Sequence, residues 1–199
     1  MQVSLGSGIA GSVLFVLVFL IDGATRPDYH PVRHPVSALA LGPRGWVQTT
    51  NFLVSGALIT ASGPGLGAAA DSTWLAVAVM VFGLALVASG LFPMDAMRGY
   101  PPGTPDTTPT TTSTSHKLHD WAGVVVFASL PATALIAALT LDDTAVVIAS
   151  AVTAVGLVAF FLQFGAAWEA DAPRAGLIQR MMIICGWTWL ALTCLHLLA

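Results

Sequence analysis

Six stretches of this chain are apolar on every side and long enough to cross a lipid bilayer. A spanning helix needs about 20 mostly apolar residues, because inside hydrocarbon every backbone group has to be satisfied within the helix. The stretches lie near 4–22, 45–65, 74–93, 119–140, 144–165 and 179–198. Only 9% of the residues are charged and 56% are hydrophobic, against roughly 25% charged in soluble domains. With 199 residues there is room for one bundle and no sizeable soluble domain. The expected fold is all-α: a polytopic membrane bundle of six transmembrane helices. The second stretch is the least apolar, since it holds Gln48, Asn51 and several glycines. Pro131 is expected to kink the fourth. The hairpins at 66–73 and 141–143 are short, so the helices they join are expected to be antiparallel neighbours. The first stretch lacks a basic n-region and reads as a retained helix.

Helix alternation sorts the charges. The loops 23–44, 94–118 and 166–178 fall on one side, and all seven basic residues lie in or beside them: Arg26, Arg33, Arg44, Arg98, Lys117, Arg174 and Arg180. The other side carries Asp71, Asp142 and Asp143. The positive-inside rule makes the basic side cytoplasmic and both termini extracytoplasmic. Five or seven helices would split the basic residues between the two sides. The expected location is the cell membrane and the expected partner is the bilayer. The net charge of −3 and the lack of a basic run argue against nucleic acid. Cys185 and Cys194 sit inside the last apolar stretch and read as packing residues.

The cytoplasmic loops are unusual. Residues 23–44 are rich in Pro, His and Arg. Residues 101–115 form a Thr-, Ser- and Pro-rich stretch that buries little apolar surface. It is expected to be a flexible linker or lid, or simply a tolerated insertion.

Polar side chains collect at the cytoplasmic helix ends. Asp22 closes helix 1, and His34 and Ser37 follow it with His30. Asp95 follows helix 3. His116, His119 and Asp120 open helix 4, and Gln163, Glu169 and Asp171 lie near the end of helix 5. Ionisable groups at the edge of a span are costly to desolvate and mark functional sites. Asp22 and Asp120 have apolar sequence beside them, so burial could raise their pKa values and keep them protonated. Each has a plainer reading: Asp120 as a helix N-terminal acid, Ser37 as an ordinary cap. His116 and His119 share a helical face, but two histidines do not close a zinc site. No metal or cofactor is expected, and no histidine pair is matched in depth for haem. His196 lies at the opposite end. Trp46, Trp74, Trp121 and Trp168 fall near the interfaces. Trp187 and Trp189 are mid-helix and two apart, so one of them is expected to face the bundle.

The runs HPVSALALGPRGW and NFLVSGAL (His34 to Leu58), ASGLFPMD (Ala88 to Asp95) and HKLHDWAG (His116 to Gly123) resemble the bacterial membrane family catalogued as domain of unknown function 998. The resemblance runs over most of the chain, although the Thr-rich insertion looks longer than the family's pattern. It implies six or seven membrane helices and no assigned activity. The chain also looks like the small membrane terpene cyclases of bacterial meroterpenoid pathways. They are helix bundles of about this size that start cyclisation by protonating an alkene or epoxide. No motif carries their residues over.

The function expected from these features is acid/base chemistry at the cytoplasmic face on a lipophilic, isoprenoid-like small molecule, with protonation-initiated cyclisation as one form. Asp22 or Asp120 would be the acid, His119 its partner and Asp95 an electrostatic support. Ser37 with His34 and an aspartate would make a hydrolase instead. Phe92, Trp121, Trp187, Gln163 and Asn51 are expected to bind substrate. A non-catalytic accessory protein and a small transporter are the alternatives. No span carries a charge at its middle, where coupling ions usually bind.

Overall fold

A computed structural model describes residues 1–199. It contains six long helices, α1 (Gln2–Thr25), α2 (Gly45–Ala69), α3 (Thr73–Leu91), α4 (Thr114–Thr140), α5 (Thr144–Glu169) and α6 (Ala175–Leu198), with a short 3-10 helix at Val36–Ala40. All six are long and apolar enough to cross a membrane. Each packs against the next in sequence, and α6 closes the ring against α1. Large aliphatic side chains cover the outside of the bundle; Leu139, Val155 and Leu162 are among the most exposed. Such a surface needs lipid around it.

Several helices run past the apolar stretches read from the sequence, and at the start of α4 a cap is responsible. α4 opens at Thr114 rather than near 119. Ser113 is its N-cap and accepts the His116 N–H at 3.1 Å, which brings the whole HKLHD run into the helix. α3 and α5 are also capped, by Ser72 and Asp143. Trp46, Trp74 and Trp121 are exposed near helix ends, the positions of an interfacial belt.

The weak hydropathy of α2 has a structural reason. Half of its apolar window is buried, the largest share of any helix, against 17% for α5. Gln48, Asn51, Ser55 and Ser62 of α2 are buried and face protein, not lipid. Asn51 Nδ2 donates to the Phe15 carbonyl at 3.1 Å and to Gln48 Oε1 at 3.3 Å, and Ser55 Oγ donates to Asn51 Oδ1 at 3.1 Å. α2 also packs closely on α3. A Cβ on Gly56 would lie 2.8 Å from the Gly83 carbonyl, and one on Gly83 would lie 2.7 Å from the Gly56 carbonyl. This is the small-residue contact that membrane helices use when lipid offers no hydrophobic drive between them.

The bundle centre is aromatic. Trp187 stacks on Phe15 with ring centroids 5.1 Å apart and meets Phe82 edge-on at 4.8 Å. Phe52 lies 5.5 Å from Phe15. Both mid-helix tryptophans are buried. They diverge as their spacing requires: Trp187 points into the centre and Trp189 donates to Ser150 Oγ on α5 at 3.0 Å.

Candidate functional site

The end of the bundle that carries the basic residues is roofed by its loops, and arginines hold the roof. Asp22 is buried at the end of α1. Its two carboxylate oxygens accept from Arg26 Nη2 at 2.5 Å and Arg44 Nη2 at 2.6 Å. Arg26 also reaches the carbonyls of Leu39 (3.0 Å), Leu41 and Arg44 (both 3.1 Å). Arg180, buried at the start of α6, donates to the carbonyls of Pro31, His34 and Gly176 and to the Tyr29 hydroxyl. Tyr29 Oη donates to Pro35 O at 2.9 Å, and burial pushes its pKa up to about 12. Arg98 lies 3.8 Å over the Trp168 ring and donates to the Trp168 carbonyl at 2.7 Å.

The Thr-rich stretch is fastened to this roof. Asp106 accepts two hydrogen bonds from Arg33, at 2.6 and 3.1 Å, and the guanidinium holds its carboxyl below the usual range. Thr107 and Pro105 carbonyls accept from the Arg98 and Gly99 N–H groups.

His34 is buried in the roof and both ring nitrogens are engaged. Nδ1 accepts from the His30 N–H at 3.0 Å and Nε2 donates to the Arg98 carbonyl at 3.2 Å. Desolvation pushes its pKa below the ordinary value. Ser37 Oγ donates instead to Met94 Sδ at 3.3 Å, so no hydrogen bond pairs Ser37 with His34. Asp95 accepts from the N–H and hydroxyl of Ser113 at 2.7 and 2.6 Å. That fixes the start of α4, and the hydrogen bonds lower the Asp95 pKa. His116 Nδ1 accepts from the Asp95 N–H at 2.9 Å, and its Nε2 lies 3.2 Å from Asp120.

Beneath the roof lies a cavity in two adjoining chambers. The inner one, about 40 Å3, is walled by the central aromatics Phe15, Phe52 and Trp187 with Leu86, Ser89 and Ile183. The outer one, about 260 Å3, opens at the bundle surface between α4 and α5 past Phe161, Phe164 and Trp168. Ser37, His119, Gly123, Phe127 and Gln179 border both.

His119 is the reactive group best placed here. Its Nδ1 donates to the Phe92 carbonyl at 2.8 Å and the Ser89 carbonyl at 3.1 Å. These are end carbonyls of α3, which lack intrahelical partners. The Nδ1–H tautomer is thereby fixed, and Nε2 keeps its lone pair with no protein donor beside it.

Of the residues expected to act, Ser37 and His119 border both chambers and Asp120 borders the outer one. Asp22, His34 and Asp95 are engaged in the roof and border neither. Of the residues expected to bind substrate, Trp187 walls the inner chamber. Asn51 is buried along α1, while Gln163 and Trp121 are exposed on the bundle surface. Phe92 supplies its carbonyl to His119 and no wall. Gln179 and Ser89 were not singled out from the sequence. Gln179 was findable as an uncharged polar residue at the first position of the sixth apolar stretch; Ser89 carried no such signal. No group of three or more His, Cys, Asp or Glu side chains is arranged to hold a metal.

The family model described as "Protein of unknown function (DUF998)" matches residues 9–196. The chain belongs to this family. The match runs from α1 to the last turn of α6, so the roof, both chambers and the Thr-rich stretch of this DUF998 protein all lie within it. No curated protein and no solved structure matches.

Proposed function

We propose that this DUF998 protein is a membrane enzyme that carries out acid/base chemistry on a lipophilic substrate, with His119 as the base. The observation that carries the reading is the hydrogen bonding of His119: Nδ1–H is tied to two carbonyls, Nε2 has no protein hydrogen-bond partner, and the residue borders both chambers. A base must present a lone pair within reach of the proton it takes. The outer chamber, apolar and aromatic and open between α4 and α5, gives a lipid-soluble molecule its way in. The basic residues at this end support a cytoplasmic orientation with both termini outside the cell membrane. The substrate then enters from the cytoplasmic leaflet.

Asp120 is the one carboxylate that borders the cavity. A protonation-initiated cyclisation of an isoprenoid would draw its proton there. The base reading is preferred because Asp120 is half-exposed and beside His116, whereas His119 is buried with one nitrogen free. Asp22 is set aside as the acid, since a proton there would disrupt two charge-assisted hydrogen bonds. One observation favours a non-catalytic accessory protein: Asp22, Asp95 and His34 all serve the roof.

The test supplies membranes containing the protein with a panel of prenylated substrates and looks for new products. Conversion by wild type, lost in His119→Gln and retained in Asp120→Asn, is the expected result. The glutamine amide in the first variant can still donate to the Phe92 carbonyl but offers no basic nitrogen. Conversion unchanged in His119→Gln contradicts the base assignment.

A further inference from the structure

We propose that the two chambers bind a single-chain lipid alcohol, its hydroxyl between His119 and Gln179 and its chain running out between α4 and α5. The inference rests on the preceding reading of the cavity as a substrate site and names the class of molecule it takes.

The polar groups at the chamber junction are fixed in their sense. Gln179 Oε1 accepts the Val36 N–H at 2.7 Å, so its amide cannot flip without losing that bond. Its NH2 group is left with no protein acceptor, although the residue is buried. His119 offers an acceptor, for the reason given above. Gln179 gives and His119 takes, which matches a hydroxyl, a group that gives one hydrogen bond and takes another; Ser37 Oγ, its proton given to Met94 Sδ, adds a second acceptor at the same border.

Size and charge narrow the class. The inner chamber, about 40 Å3, holds roughly three water-sized groups by the room a water needs. A hydroxyl and a short piece of chain fit; a sugar or a glycerophosphate does not. No Lys or Arg borders either chamber, and the one charged side chain there is Asp120. Arg26, Arg98 and Arg180 border neither chamber and are tied into the roof. A diphosphate or an ionised fatty acid would be desolvated with no counter-charge beside it.

Two glycines support the path of the chain. Gly123 borders both chambers and Gly165 borders the outer one, and a Cβ on either would meet no atom within 4 Å. Close packing does not account for them, and glycine within a helix is unfavourable. Together they keep the cleft between α4 and α5 open.

The experiment measures binding of tritiated farnesol and hexadecanol to the purified full-length protein in nanodiscs. Farnesyl diphosphate and palmitate serve as competitors. Saturable binding of the alcohols is expected, with the diphosphate and palmitate competing at least about tenfold more weakly. Gly123→Leu, whose side chain enters open space, should abolish saturable binding while its thermal unfolding stays that of wild type. Gly165→Leu is the second filling variant should the first fail to fold. Gln179→Glu keeps an oxygen for the Val36 N–H and loses the donor; it should weaken alcohol binding by about tenfold, the order of one hydrogen bond. Equal or tighter binding of the diphosphate or palmitate, or binding unaffected in the filling variants, overturns the proposal. Because the readout is binding, it is separable from turnover. Alcohol bound with no substrate of the panel converted leaves this inference standing and removes the catalytic reading; conversion of a substrate that is not an alcohol, with no alcohol bound, does the reverse.

Discussion

His119 donates its Nδ1 proton to the Phe92 carbonyl at 2.8 Å, which joins the first turns of α4 to the end of α3 and leaves Nε2 without a protein partner on a residue that borders the cavity. Nitrogen-15 NMR of histidine-labelled protein should therefore find the neutral His119 ring protonated at Nδ1. Protonation at Nε2 would remove the lone pair from the chamber and with it the base.

Asp22 sits between two guanidinium groups, and Arg26 is itself buried. Removing one partner of a buried pair costs about 3–5 kcal/mol, because the other charge is left unpaired. Asp22→Asn should lower thermal stability strongly. Arg26→Met should do so too, and the double variant should lose less than the sum. Additive losses would show that the two side chains are not coupled.

The pairing also marks where sequence reading stops. Hydropathy was enough for six helices, because lipid contact imposes a composition that no fold detail can hide. Charge alternation placed all seven basic residues at one end, but it treated Arg26, Arg98 and Arg180 as topological signals. Their carbonyl partners lie up to 149 residues away in the chain, and backbone acceptors leave no residue-type signature. For the same reason Asp22 and Asp120 looked alike in sequence, each a carboxylate beside an apolar run, and only Asp120 borders the cavity. His119 was legible as a group inside the edge of a span. Its free nitrogen was not, since that depends on where α3 ends.

His34 makes the roof sensitive to acid. Its pKa is depressed by desolvation first, offset by the Arg98 carbonyl and deepened by His30, Arg33 and Arg180 nearby. The folded value thus lies below the unfolded one near 6.5, so the unfolded chain takes up its proton first. Stability from this residue is present above about 6.5 and is lost as pH falls toward the folded value. Thermal unfolding should move to lower temperature over that window, and His34→Gln should flatten the dependence. A wild-type profile flat through the window would contradict it.

Gly56 and Gly83 set the approach of α2 and α3. Gly83→Val should destabilise the bundle by about 1–3 kcal/mol or more, the cost of overpacking where backbone is the obstacle. Gly123→Val, placed in open space, should be tolerated. Thermal unfolding in detergent separates the two, and equal effects would refute the close approach.

If the cavity below the arginine roof holds a lipophilic molecule, mass spectrometry of the lipids that copurify with wild type and with Gly123→Leu will show it. A neutral single-chain lipid enriched in wild type and depleted in the filled variant is the predicted result. The same lipids in the same amounts from both proteins would contradict it.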